Sequence, residues 1–126
     1  MTLGDISQIA LPVSSADISE KFYEQVLGLQ KLFRFGDLVF FDCGGTRLML
    51  SQDAEVKAGQ QAIYFRTSDI AADFGTLKSR GVIFEREPHL VAPMPDHDLW
   101  MAFFRDPDAH LFALMHEAPK GYSPQI

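Results

Sequence analysis

The stretch IALPVSSADISEKFYEQVLGL, residues 9–29, changes its apolar period part-way along, and the rest of the chain repeats that change. ISQIALPV (6–13) alternates as a strand does and stops at Ser14-Ser15, after which Ile18, Phe22, Val26 and Leu29 recur at helical spacing. Ser14 or Ser15 suits the N-cap, Asp17 and Glu20 suit the positive helix end, and Gly28 can close the helix in a left-handed conformation. Strand, cap, helix is the expected order, with Ile18, Phe22, Val26 and Leu29 turned inward.

Three short apolar runs follow, QKLFRF (30–35), LVFFDC (38–43) and TRLMLS (46–51), separated by Gly36-Asp37 and Gly44-Gly45 as hairpins require. After the aperiodic QDAEVKAG (52–59) the pattern begins again. QAIYFRT (61–67) reads as a strand and Ser68 as a cap, and DIAADFGTLKSRG (69–81) reads as a helix burying Ile70, Phe74 and Leu77. VIFERE, a Pro-rich loop PHLVAPMPDHD (88–98), LWMAFFR and HLFALMHE complete the set. Ser15-Ala16-Asp17-Ile18 aligns with Thr67-Ser68-Asp69-Ile70, and LGL with RGV, so two copies of a βαβββ unit account for the chain. The expectation is an α+β fold in a single domain over 1–126, with modules at about 5–52 and 60–117 and a tail at 118–126.

With 126 residues the chain is near the modal size of one domain, and 47% hydrophobic with 22% charged residues is an ordinary globular balance. A net charge of −6 argues against nucleic acid as a partner. No run reaches the about 20 apolar residues of a spanning helix, which argues against membrane insertion. The single cysteine, Cys43, has no internal disulfide partner, and the start MTLGDISQIALPVSS has neither a basic region nor an unbroken apolar stretch, so a cytoplasmic location is expected. Cys43 would need a neighbouring cation or base to act as a nucleophile, and an inert thiol is the expectation.

Two segments carry a resemblance. IALPVSSADISEKFYEQVLGL, with its FY…LG helix, and FRDPDAHLFAL (104–114), with its Asp-Pro hairpin, resemble the vicinal oxygen chelate superfamily. That superfamily holds glyoxalase I, bleomycin-resistance proteins, extradiol dioxygenases and fosfomycin-resistance proteins, and the resemblance spans nearly all of residues 5–117. It implies curved sheets from two βαβββ modules enclosing a cavity, often between subunits with swapped halves. It also implies a divalent metal held by the first and last strand of each module, which stabilises enediolate-like charge.

Carried onto this chain, the four metal positions fall at Gln8, Met49, Ala62 and Ala113. A thioether does not replace a carboxylate for a hard cation, and alanine offers no ligand atom. No metal and no other cofactor is therefore expected at the family position. The alternative is a divalent metal at an atypical site through His89 or His97 with Asp96 and Asp98, although no His-x-x-x-His or Cys-x-x-Cys spacing links them.

If residue 49 faces the cavity, strand parity places Gln8, Ala10, Arg47, Ser51, Ala62, Tyr64, Arg66, Leu111, Ala113 and Met115 there too. Leu48, Leu50, Ile63, Phe65, Phe112 and Leu114 then form the opposite, covered face. Two guanidinium groups, a phenol, an amide and thioethers suit a small organic ligand. Alternatively, Arg47 and Arg66 pair with carboxylates such as Asp42 and tie strands together. Trp100, beside the Pro-rich loop, is a candidate pocket residue or a packing residue.

The sequence thus points to a homodimeric protein binding a small organic ligand through Gln8, Arg47, Met49, Tyr64, Arg66, Trp100, Ala113 and Met115, in the style of the bleomycin-resistance proteins. The competing reading is a metal-dependent lyase, isomerase or dioxygenase of glyoxalase type. No catalytic residue can be assigned from spacing alone. Asp106-Pro107-Asp108-Ala109 suits a type I turn that fixes the register of the last strand.

Overall fold

A computed structural model describes all residues, Met1–Ile126. The chain forms two compact units, Met1–Lys57 and Ala58–Ile126. In the first, β1 (Gln8–Val13) leads into helix α1 (Ala16–Lys21) and a π-helical turn (Phe22–Val26), followed by β2 (Gln30–Phe35), β3 (Leu38–Cys43) and β4 (Thr46–Gln52). The second repeats the order with β5 (Ala62–Arg66), α2 (Ile70–Ser79), β6 (Phe84–Pro93), β7 (Asp98–Arg105) and β8 (Leu111–Ala118). Each unit has one four-stranded sheet, in the orders β1-β4-β3-β2 and β5-β8-β7-β6. The first strand lies parallel to the last, and the other pairs are antiparallel.

Local chemistry sets where the helices begin. Ser15 Oγ accepts the Ile18 N–H at 3.2 Å, and Asp69 Oδ1 accepts the Ala72 N–H at 3.1 Å, each satisfying a donor the first turn leaves open. The second cap is Asp69 rather than Ser68, because Thr67 Oγ1 both accepts from the Asp69 N–H and donates to Asp73. Equivalent caps are therefore 54 positions apart, where the aligned Ser15 and Thr67 are 52 apart. At the other end of α2, Gly81 adopts φ +94°, and the Val82 N–H returns to Leu77 O while the Gly81 N–H returns to Lys78 O. This Schellman closure turns the chain into β6.

The first helix differs from its expected phase. Ala16, Ser19 and Tyr23 are buried, whereas Ile18 is 60% exposed. Ala16 N–H donates to Gln52 Oε1 at 2.9 Å, which docks the small side chains of α1 against the last strand. The helix then widens, with the Leu27 N–H reaching Phe22 O, and Tyr23 packs on Phe41 at 5.9 Å between ring centroids. Lys31 and Arg34 of β2 tie down the polar side of α1 through Glu20, Glu24 and Asp17. In the second unit Ile70, Phe74 and Leu77 are buried as the helical spacing requires.

A second difference concerns the Pro-rich segment. Residues 88–93 continue β6 instead of forming a loop, and the connection to β7 is only 94–97. An edge strand tolerates Pro88, which has no N–H to give, and the pairing with β7 shifts register three times along its length.

Asp106 and Ala109 close the last hairpin. Ala109 N–H bonds to Asp106 O at 3.0 Å, and Asp106 Oδ1 accepts the N–H groups of Asp108 and His110. Ala109 then takes φ +68°, the one residue other than glycine with positive φ. A Cβ in that region costs roughly 1–2 kcal/mol. Ala109→Gly should therefore stabilise the protein by about 1 kcal/mol in chemical denaturation; an unchanged or lowered midpoint would show that this turn carries no such strain.

Candidate functional site

Alternation on the central strand of each sheet separates a helix-covered face from an open one. On β4, Leu48 and Leu50 are buried, while Arg47 is exposed and Met49 and Ser51 are half-buried. Register places Gln8, Ala10 and Pro12 of β1 beside Arg47, Met49 and Ser51, with Asp42, Phe40 and Leu38 of β3 on the other flank. On β8, Phe112 and Leu114 take the covered side. Leu111, Ala113 and Met115 align with Ala62, Tyr64 and Arg66 of β5 and with Arg105, Phe103 and Met101 of β7.

In the first unit the open face is a connected set of contacts. Arg47 Nε donates to Gln8 Oε1 at 3.1 Å, and Gln8 Nε2 lies 3.7 Å from Met49 Sδ. The Arg47 guanidinium also sits over the Phe40 ring, 5.4 Å from its centroid. Phe40 in turn stacks on Phe33 at 4.4 Å and 22°. Asp42 stands opposite Arg47 in register, yet its Oδ1 accepts the Gly45 N–H at 3.1 Å and no ion pair joins the two.

The second unit is built differently at the same positions. Ala113 is fully buried, and the rings of its two register partners, Tyr64 and Phe103, meet edge-to-face at 6.3 Å. A side chain as small as alanine lets the rings approach over it. His89 adds a further ring against Phe103 at 6.0 Å, its Nδ1 bonded to Glu87 O. Arg66, unlike Arg47, is paired, with Glu117 at 3.4 Å. His97 lies between Asp96 at 2.8 Å and Glu117 at 3.6 Å. The hydrogen bond from His97 holds the Asp96 carboxyl below its usual range.

Six of the eight residues singled out in the sequence thus fall on open faces within their own units: Gln8, Arg47 and Met49 in the first, Tyr64, Arg66 and Met115 in the second. Ala113 shares that face but is sealed beneath two rings. Trp100 lies apart, because it pairs with His116 on the other side of β7 and β8 and packs edge-on against Tyr122 at 6.0 Å. Its surroundings are those of a packing residue. Phe33, Phe40 and Phe103 went unnoticed as open-face residues. LVFFDC offers adjacent phenylalanines with no sign of which faces in, and a register shift between Lys31 and Phe33 sets the parity of β2.

The four positions where the family resemblance implies metal ligands do not fit a divalent cation. Ala62 and Ala113 have no donor, Met49 offers a soft thioether, and the Gln8 amide oxygen already accepts from Arg47. A cation beside Gln8 would also face that guanidinium, a repulsion of roughly 1–4 kcal/mol per unit charge at 4 Å between bulk water and a protein surface. Elsewhere no group of three or more His, Cys, Asp or Glu side chains is arranged so that it could hold a metal ion. Burial pushes the Cys43 thiol up, and Asp42 adds to the effect, so the thiolate is disfavoured. A separate hollow of about 390 Å³ between α2 and the start of β6 is lined by Phe74, Lys78, Gly81, Val82, Ile83, Phe84 and Glu87 and shares no residue with the open faces.

A family model for the glyoxalase/bleomycin resistance protein/dioxygenase superfamily matches residues 5–114. The chain belongs to that superfamily. Among solved structures, a superfamily member from Sphaerobacter thermophilus is 26% identical with TM-score 0.75, covering 91% of this chain and 98% of its own. A lactoylglutathione lyase from Agrobacterium tumefaciens is 23% identical with TM-score 0.74, covering 97% and 100%. An integron cassette protein from V. cholerae reaches TM-score 0.76 at 19% identity, covering 94% and 98%. At identities below a quarter the last two show the common fold. No curated protein matches the sequence. No helix of this superfamily member is long and apolar enough to cross a membrane.

The C-terminal tail is fastened beside Trp100. Lys120 Nζ donates to Asp98 Oδ1 at 2.7 Å, and the Gly121 N–H donates to Asp98 Oδ2 at 3.0 Å. Tyr122 then packs on His116 at 4.9 Å, where burial raises its phenol above the ordinary value. The hydrogen bond from Lys120, then that from Gly121, hold the Asp98 carboxyl below its usual range. A depressed folded value means that Asp98 contributes stability above the unfolded carboxylate range, near pH 4, and loses it as pH falls through the folded value. Melting followed between pH 7 and pH 2 should show a steeper acid loss for the native chain than for Asp98→Asn; parallel curves would remove Asp98 from this role.

Proposed function

We propose that this chain is a small-molecule-binding member of its superfamily, in the style of the bleomycin-resistance proteins, taking an organic ligand on the open faces of its sheets and using no metal at the family position. The observation that carries the reading is the Gln8–Arg47 contact. The one oxygen donor among the four positions is engaged by a fixed cation. What remains on the open faces, Arg47, Tyr64, Met49, Met115 and the aromatic rings around them, is the mixture of apolar surface and a few oriented polar groups typical of ligand pockets. Tyr64 is 49% exposed and Phe33 47%, so both rings are available.

The competing reading, a metal-dependent lyase, isomerase or dioxygenase with an atypical site, draws its support from the lactoylglutathione lyase among the structural neighbours. It would have to rest on His89 or His97. Asp98, the nearest further carboxylate in sequence, is committed to Lys120 and Gly121. A cytoplasmic homodimer fits the proposal: Leu32 on the edge strand β2, and Leu90, Val91 and Met94 on and beside the edge strand β6, are each more than 40% exposed and suit cover by a second copy.

Thermal melting against a panel of anionic and neutral metabolites and cationic glycopeptides tests the binding role, because a ligand held only by the folded state stabilises it, by about 2.7 kcal/mol at a hundredfold excess over Kd, and so raises the midpoint. At least one class should shift it. Metal analysis of protein purified without chelators should find less than one equivalent of zinc, nickel, iron or manganese. A full equivalent, or turnover in glyoxalase or dioxygenase assays with added metal that Gln8→Ala abolishes, would favour the enzyme.

A further inference from the structure

The arginines of this chain are not alike in what they touch. Arg34 is held by Asp17 and Glu20, Arg66 by Glu117, and Arg105 by Glu85. Arg47 has no carboxylate partner although Asp42 stands beside it in register. Its Nε is fixed by Gln8 and its Cζ lies over the Phe40 ring, so the guanidinium is held in place on an exposed residue. An arginine held by its Nε and placed over a ring is a preorganised fork for a planar oxyanion, and carboxylate matches that fork with two parallel hydrogen bonds. Around it lie Ala10, which leaves room, the half-buried Met49, and Phe33, which is 47% exposed and stacks on the buried Phe40. Phe33 presents an apolar ring face on the same side of the sheet as the cation.

Resting on the binding role proposed above, we infer that Arg47 is the specificity-determining residue and that the ligand is a small aromatic carboxylate, its carboxylate on the Arg47 fork and its ring against the exposed ring of Phe33. The overall charge of −6 does not oppose this. Screening confines the effect of distant carboxylates to about 8–10 Å at physiological salt, and within ion-pair range Arg47 meets none. Gln8 acts through Arg47 as a positioning residue. A cationic ligand would meet the Arg47 guanidinium on this face.

The experiment compares matched probes on the full chain: benzoate, phenylacetate and 2-naphthoate against their primary amides and against cyclohexanecarboxylate, by calorimetry and thermal shift. The native protein should bind the aromatic carboxylates at least tenfold more tightly than the amides, and more tightly than the cyclohexane acid. Arg47→Ala should abolish the difference between acid and amide. Arg47→Lys, which keeps the charge and loses the fork, should weaken the acids about tenfold. Equal binding of acid and amide, or acid binding unchanged in Arg47→Ala, would overturn the inference and leave the binding role standing. No binding by any of these probes would overturn the inference too, and if the wider ligand panel also left the midpoint unmoved, the binding role would fall with it.

Discussion

Side-chain alternation on β4 and β8, the central strands of the two sheets, is the constraint from which the other features follow. Each of these strands is paired on both sides, parallel to the module's first strand and antiparallel to its third. Its register therefore cannot slip without turning every apolar side chain to the wrong face. Burial of Leu48, Leu50, Phe112 and Leu114 fixes that register. Arg47, Met49, Ala113 and Met115 have their positions set for them by the residues between them. The site is a by-product of the core in geometry and independent of it in composition.

That independence explains how one fold carries two differently built open faces. At equivalent register positions the first unit has Gln8, Arg47 and Met49, joined by a hydrogen bond and a close amide–thioether approach. The second has Ala62, Leu111 and Ala113, the last covered by Tyr64 and Phe103. Neither arrangement offers hard oxygen or imidazole donors to a cation. The first has an arginine held by Gln8, which on the proposed reading puts a positive charge where the family resemblance implies a metal. A guanidinium holds an oxyanion through directed hydrogen bonds, whereas a divalent metal draws two oxygens into its coordination shell.

Much of the architecture was legible in the residues because it rests on local rules: two changes of period, caps at the helix starts, and glycines where the chain reverses. The strand parity around Met49 and Ala113 was legible for the same reason. What escaped the sequence depends on tertiary docking. The phase of α1 is set by Gln52 accepting from Ala16, so Ile18 faces water although the spacing marks it as buried. The continuation of β6 through Pro88 depends on its being an edge strand, which no local pattern reveals. Phe33 became visible as an exposed ring stacked on Phe40 only through a register shift in β2. The difference between Arg47 and Arg66 likewise lies in partners distant in sequence, since Glu117 is 51 positions from Arg66 and Asp42 is drawn away by Gly45.

The central claim is that Arg47, held by Gln8, occupies the functional place a metal ion would have. Crystals soaked in manganese or zinc and measured at the metal's absorption edge test it most directly. Arg47 Nε should stay on Gln8 Oε1 near 3.1 Å, with no anomalous peak within coordination distance of Gln8 or Met49. A well-occupied peak there, with Arg47 swung away, would contradict it.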